Sequence, residues 1–110
     1  MKIEEIINNL ENRKKISSNP NTVIKLDKAL FVAKKVELCV NAFKEKGYSL
    51  RVNKPHAGNS YYLHCDKLNY GTRISDHSTY TNFEGENPNS TYVDYVNMMT
   101  QKILNFINKK

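Results

Sequence analysis

The sequence predicts an α+β fold in the order helix, helix, three-stranded antiparallel meander, helix, with the helices on one face of the sheet. Three observations predict it. Apolar residues recur at helical spacing in two stretches before Gly47 and in one from Val93 onward. Between Gly47 and Ser78 the period changes to alternation, the pattern of a strand with one packed face and one open face. The third is size: 110 residues, 39% of them hydrophobic, are enough for one core, so residues 1–110 are read as one domain.

The first helix rests on Ile3, Ile6, Ile7 and Leu10, and Asn12-Arg13-Lys14-Lys15 ends its apolar pattern in charge, giving a short helix within residues 1–18. Ser17-Ser18-Asn19-Pro20-Asn21 is turn chemistry, with Thr22 or Asp27 as the cap of the next helix. That second helix is expected from Leu26 to Lys46, with Leu26, Leu30, Ala33, Val36, Val40 and Phe43 along one stripe and Gly47 as its stop.

The first strand sets Tyr48, Leu50 and Val52 against Ser49 and Arg51, and a loop at Lys54-Pro55-His56-Ala57-Gly58-Asn59 comes after it. The second sets Tyr61, Leu63 and Cys65 against Tyr62 and His64. After a turn at Asp66-Lys67-Leu68-Asn69, the third sets Tyr70, Thr72 and Ile74 against Gly71, Arg73, Ser75 and His77. Residues 78–90 form a polar loop that holds Tyr80 and Phe83. Thr91-Tyr92-Val93-Asp94 resembles a capping box, and Val93, Val96, Met99, Ile103 and Ile107 continue as the last amphipathic helix.

The 17 Lys and Arg against 11 Asp and Glu leave a net charge of +6, which favours a polyanionic partner but also serves solubility. The positive residues are spread along the chain, so a nucleic acid would have to be bound by a folded surface. Cys39 and Cys65 lie in apolar surroundings without the short spacing of a zinc site, which reads as two buried free thiols in a reducing compartment. With no apolar leader stretch and no segment of bilayer length, a cytoplasmic location is expected.

The candidate chemistry collects on the open sheet face: Arg51, Tyr62, His64, Arg73, Ser75 and His77, with Tyr80 in the adjoining loop as a further contact. Arginine and histidine together could hold a phosphate, and a histidine pair beside an arginine could cleave RNA by proton transfer and charge stabilisation. The competing account is that an antiparallel sheet with one wet face needs polar side chains there in any case. Metal-ligand spacings, a glycine-rich phosphate loop and a nucleophile elbow are missing from the sequence, so no cofactor and no catalytic residue are assigned. A helix, three antiparallel strands and a helix, the order here from the second helix onward, is also that of double-stranded RNA-binding domains, but the last helix has no lysine before Lys102 to place on phosphates.

The run Tyr70-Gly71-Thr72-Arg73-Ile74-Ser75-Asp76-His77-Ser78 resembles a segment of a phage-encoded anti-CRISPR family that inhibits type II CRISPR effector nucleases. Tyr70, Arg73, Ser75, His77 and Ser78 carry the likeness; Gly47-Tyr48 with Leu50, Ser60 before Tyr62, and Val93-Asp94 flank it. The resemblance implies a mobile-element origin, a bacterial host cell, and a shared strand to which Arg73, Ser75 and His77 belong. The expected function is that of a non-enzymatic binding protein engaging a CRISPR nuclease-guide RNA complex through the basic sheet face. RNA, DNA and a second copy of the chain are further candidate partners, and no membrane is. The alternative is a small metal-independent ribonuclease or toxin with His64 and His77 as acid and base and Arg73 on the phosphate.

Overall fold

The computed structural model describes residues 2–54, 60–75 and 92–110. They form α1 (Ile3–Ile16), α2 (Pro20–Glu45), β1 (Arg51–Asn53), β2 (Tyr61–Cys65), β3 (Tyr70–Ile74) and α3 (Tyr92–Asn108), an α+β arrangement in the expected order. The sheet order is β1-β2-β3 and both pairings are antiparallel.

Two boundaries differ from the sequence reading and that of α1 is sharpened within it, each for a physical reason. Helix α1 runs on through Arg13, Lys14 and Lys15 to Ile16, because these residues favour helix and complement the negative end of its dipole, as Glu4 and Glu5 do the positive end. The apolar stripe stops at Leu10 and the helix does not. Helix α2 begins at Pro20 rather than Leu26: Asn19 is the cap, its Oδ1 accepting from Asn21 N at 2.9 Å, and Pro20 occupies a first-turn position where no N–H is needed. Strand β1 is shorter than the alternation, since Leu50 is buried and Tyr48 half-buried but only Arg51 to Asn53 join the ladder.

The end of α2 follows the expected glycine signal. Gly47 has φ +86°, Gly47 N donates to Lys44 O at 3.0 Å and Tyr48 N to Phe43 O at 2.9 Å, the paired bonds that close a helix through a left-handed residue. Between β2 and β3, Asn69 takes φ 48° and its N–H donates to Asp66 O at 3.1 Å. Asparagine tolerates that conformation better than most residues.

One side of the sheet, Tyr61, Leu63, Cys65 and Ile74, is buried in a core shared with Val32, Val36, Cys39 and Phe43 of α2 and Val96, Ile103 and Ile107 of α3. Helix α2 packs between α1 and α3, and α3 reaches β3. Each large apolar side chain buried in this way contributes about 1.5–3 kcal/mol. Phe106 of α3 stacks on Tyr70 at 4.0 Å between centroids, and Phe43 flanks both at 6.3 and 6.0 Å, so the start of β3 is fastened to two helices by aromatic contacts. Cys39 and Cys65 are buried free thiols, and burial pushes the Cys39 thiol up to about 12. Thr100 is buried too, its hydroxyl donating to Val96 O at 2.7 Å.

Candidate functional site: the open face of the sheet

The ladder register fixes what the open face presents. Arg51 lies opposite His64, Asn53 opposite Tyr62, Tyr62 opposite Arg73, and His64 opposite Gly71. The face therefore carries two cross-strand rows, Asn53-Tyr62-Arg73 and Arg51-His64-Gly71, two residues or about 7 Å apart along the strands. Side chains in one row stand close enough to act together. Tyr62 is 44% exposed and is the large aromatic of this face.

The second row closes around a residue the sequence presents only as part of a turn. Asp66 Oδ1 accepts from Arg51 Nη2 at 2.8 Å and lies 3.1 Å from His64 Nε2, so a single carboxylate oxygen joins β1 to the end of β2. The hydrogen bond from Arg51 holds the Asp66 carboxyl below the usual carboxylate range, and the charges of Arg51 and His64 act in the same direction. The alternation that put Tyr62 and His64 outward extends to Asp66 two residues later, which is the signal that could have found it.

Gly71 completes the setting of the imidazole. A Cβ at that position would sit 3.2 Å from His64 Nδ1, closer than ordinary contact, so the absence of a side chain leaves room for His64 to lie over β3. The ring is held between Gly71 on one nitrogen and Asp66 on the other.

The structure places the remaining expected residues differently. Arg73 is half-buried and reaches over the sheet edge to α3, its guanidinium donating a hydrogen bond to the Tyr95 hydroxyl. Burial raises the Tyr95 hydroxyl above the usual tyrosine range, and the Arg73 charge pulls it back in part. Ser75 is not on the open face: β3 ends at Ile74, and Ser75 has 0% of its surface exposed. Strand alternation applies only inside the ladder, and the chain leaves the ladder one residue too early for Ser75 to follow it. His77 and Tyr80 lie outside the described residues, as do the polar loop 78–90 and the Thr91 cap.

Arg51, Tyr62 and His64 are thus brought together, with Asp66 and Gly71 added, while Arg73 is shared with α3 and Ser75 belongs to the interior. Among the described residues no three His, Cys, Asp or Glu side chains converge as a metal site would require. A cavity of about 600 Å³ lies between the start of α1, Val40 of α2 and β1, and of the open-face residues only Arg51 and Asn53 border it. Among the described residues no helix is long and apolar enough to cross a membrane. No protein family, no curated protein and no solved structure matches the chain.

Proposed function

We propose that this chain is a non-enzymatic binding protein of phage or mobile-element origin that inhibits a CRISPR effector nuclease by occupying the nuclease or its guide RNA with the open sheet face. The observation that supports binding is the pairing of an exposed Tyr62 with Arg51 and His64 in neighbouring ladder positions. Tyrosine and arginine are the side chains on which protein interfaces concentrate their contact energy, and aromatic rings beside cations also stack bases. Asp66 holds Arg51 and His64 in place before any partner arrives, so less side-chain freedom is lost on docking. The link to CRISPR nucleases rests on the likeness of the run from Tyr70 to Ser78.

The test is a cleavage assay with purified type II nuclease-guide complexes and the intact chain. Inhibition is expected, with Tyr62→Ala and Arg51→Ala each weakening it at least tenfold while the melting temperature stays within a few degrees. Uninhibited cleavage with every complex tried, together with no co-purification, sinks the proposal.

A ribonuclease is the second reading, and the contact between His64 Nε2 and Asp66 favours it, since a carboxylate on an imidazole is how a proton-transferring histidine is oriented. Its partner groups would be Arg73 and His77. RNA cleavage that survives a chelator and disappears with His64→Ala supports it; intact RNA under those conditions removes it.

A further inference from the structure

Part of the positive charge spread along the sequence meets at one place on the helix layer, while Lys28 and Lys35 lie over Tyr92 and Phe31 on the side of α2 that faces α3. Residues 11–35, the second half of α1 and the first part of α2, carry seven of the 17 Lys and Arg and two of the 11 acidic residues. That surplus of five accounts for most of the net +6. On the open sheet face Arg51 is paired with Asp66, as Lys14 of α1 is with Asp27 of α2. The two lysine clusters that the sequence keeps apart, Lys14-Lys15 and Lys34, meet across one groove between α1 and α2, a cavity of about 450 Å³ lined by Glu11, Lys14, Lys15, Leu30 and Lys34. Of the two carboxylates in this region Asp27 is spent on Lys14 at 2.5 Å, which leaves Glu11 facing Lys15 and Lys34 in the groove.

We infer that this groove is a second docking surface, one for the sugar-phosphate backbone of a nucleic-acid duplex read without regard to sequence. Charge complementarity carries the choice: cations from two packed helices, whose axes lie about 8–10 Å apart, can meet more than one phosphate of a duplex at once. The lining has no aromatic side chain, so nothing there stacks unpaired bases, which disfavours a single strand. It has no arginine fork to read a base edge either, and lysine acts on phosphate as a point charge. The surface belongs to the helix layer and is independent of the sheet-face proposal.

The experiment is fluorescence anisotropy of the intact chain with a labelled 20-base-pair RNA duplex, the matching DNA duplex and the single strand, at 50 to 200 mM salt. Both duplexes are expected to bind, more tightly than the single strand, with affinity falling as salt rises. Lys15→Glu with Lys34→Glu, both on exposed positions, is expected to cost at least tenfold in affinity and to lower the salt slope by about two. Lys44→Glu, at an exposed position of α2 outside the groove, should leave duplex binding unchanged, and the Lys15→Glu, Lys34→Glu variant should still inhibit the nuclease as the intact chain does, so failure of one proposal is distinguishable from failure of the other. The inference is overturned by absence of duplex binding at 50 mM salt, by an unaffected double variant that keeps its circular dichroism spectrum, by preference for the single strand or for one duplex type, or by equal binding to a polyglutamate peptide.

Discussion

Replacing Gly71 with alanine tests how firmly the imidazole of His64 is set into the sheet face. The new methyl would meet Nδ1 at 3.2 Å, and relief to ordinary contact, from 3.4 Å upward, needs a shift of a few tenths of an ångström. The side chain of His64 is 43% exposed and can rotate away. A displacement of that size about χ1 is a turn of under about 10°, a small part of the 30° departure that costs about 0.5–1.5 kcal/mol. Against it stands the gain from removing glycine's backbone freedom in a strand, about 0.5–1 kcal/mol. The expected result is stabilisation by about 0.5 kcal/mol, seen as a higher urea midpoint with unchanged slope. At the same time the contact of Nε2 with Asp66 loosens, visible as a shifted His64 ring signal in the NMR spectrum. A lowered midpoint corresponding to more than about 1 kcal/mol would refute the reasoning, because it would mean the ring cannot move and the glycine is a rigid requirement.

Leu63 is 1% exposed on the core side of β2, so Leu63→Ala should cost about 2–5 kcal/mol in denaturant unfolding, and a cost under about 1 kcal/mol would show the sheet is not packed as described. Asn19→Ala removes the cap on Asn21 N and should cost about 1 kcal/mol by the same measurement, with helix content conserved away from the first turn of α2. Because burial holds the Cys39 thiol near 12 rather than 9.0, the native state keeps its proton more tightly than the unfolded chain does. This contribution to stability is complete below pH 9 and is lost as pH rises toward 12. Iodoacetamide at pH 8.5 should leave Cys39 unmodified in native protein, as judged by mass spectrometry, and label it in urea; rapid native labelling contradicts the assignment.

Much of the fold was legible because periodicity reports burial directly. Leu26, Leu30, Val36 and Phe43 on α2 and Tyr61, Leu63 and Cys65 on β2 are buried as their spacing predicts. Element ends were less legible, since they depend on caps and pairing: Lys14 and Lys15 extend α1 although they break its apolar stripe, and Asn19-Pro20 starts α2 before its stripe begins. The open face was half legible. Alternation put Arg51, Tyr62 and His64 outward together, but it could not know that β3 stops at Ile74, that Arg73 would bend to Tyr95, or that Asp66 would hold Arg51 and His64 with one oxygen. Those outcomes depend on neighbours from other elements. The lysine groove was hidden for the same reason, because Lys15 and Lys34 become neighbours only when α1 folds back on α2.

The sequential order of the sheet has a kinetic consequence. Strands β1, β2 and β3 pair only with their immediate neighbours in the chain, and α1 packs on α2 across a short turn. Both units can therefore form from local contacts at little loop-closure cost, which favours rapid assembly. The longer-range steps are the docking of the sheet on α2, where Tyr70 meets Phe43, and the return of α3, which brings Phe106 to both. Among the described elements α3 is the last to leave the ribosome, so during synthesis the apolar side of the sheet has only α2 to pack on until it arrives. Docking of α3, which brings Val96, Ile103 and Ile107 into the core, completes the burial of the sheet's apolar side.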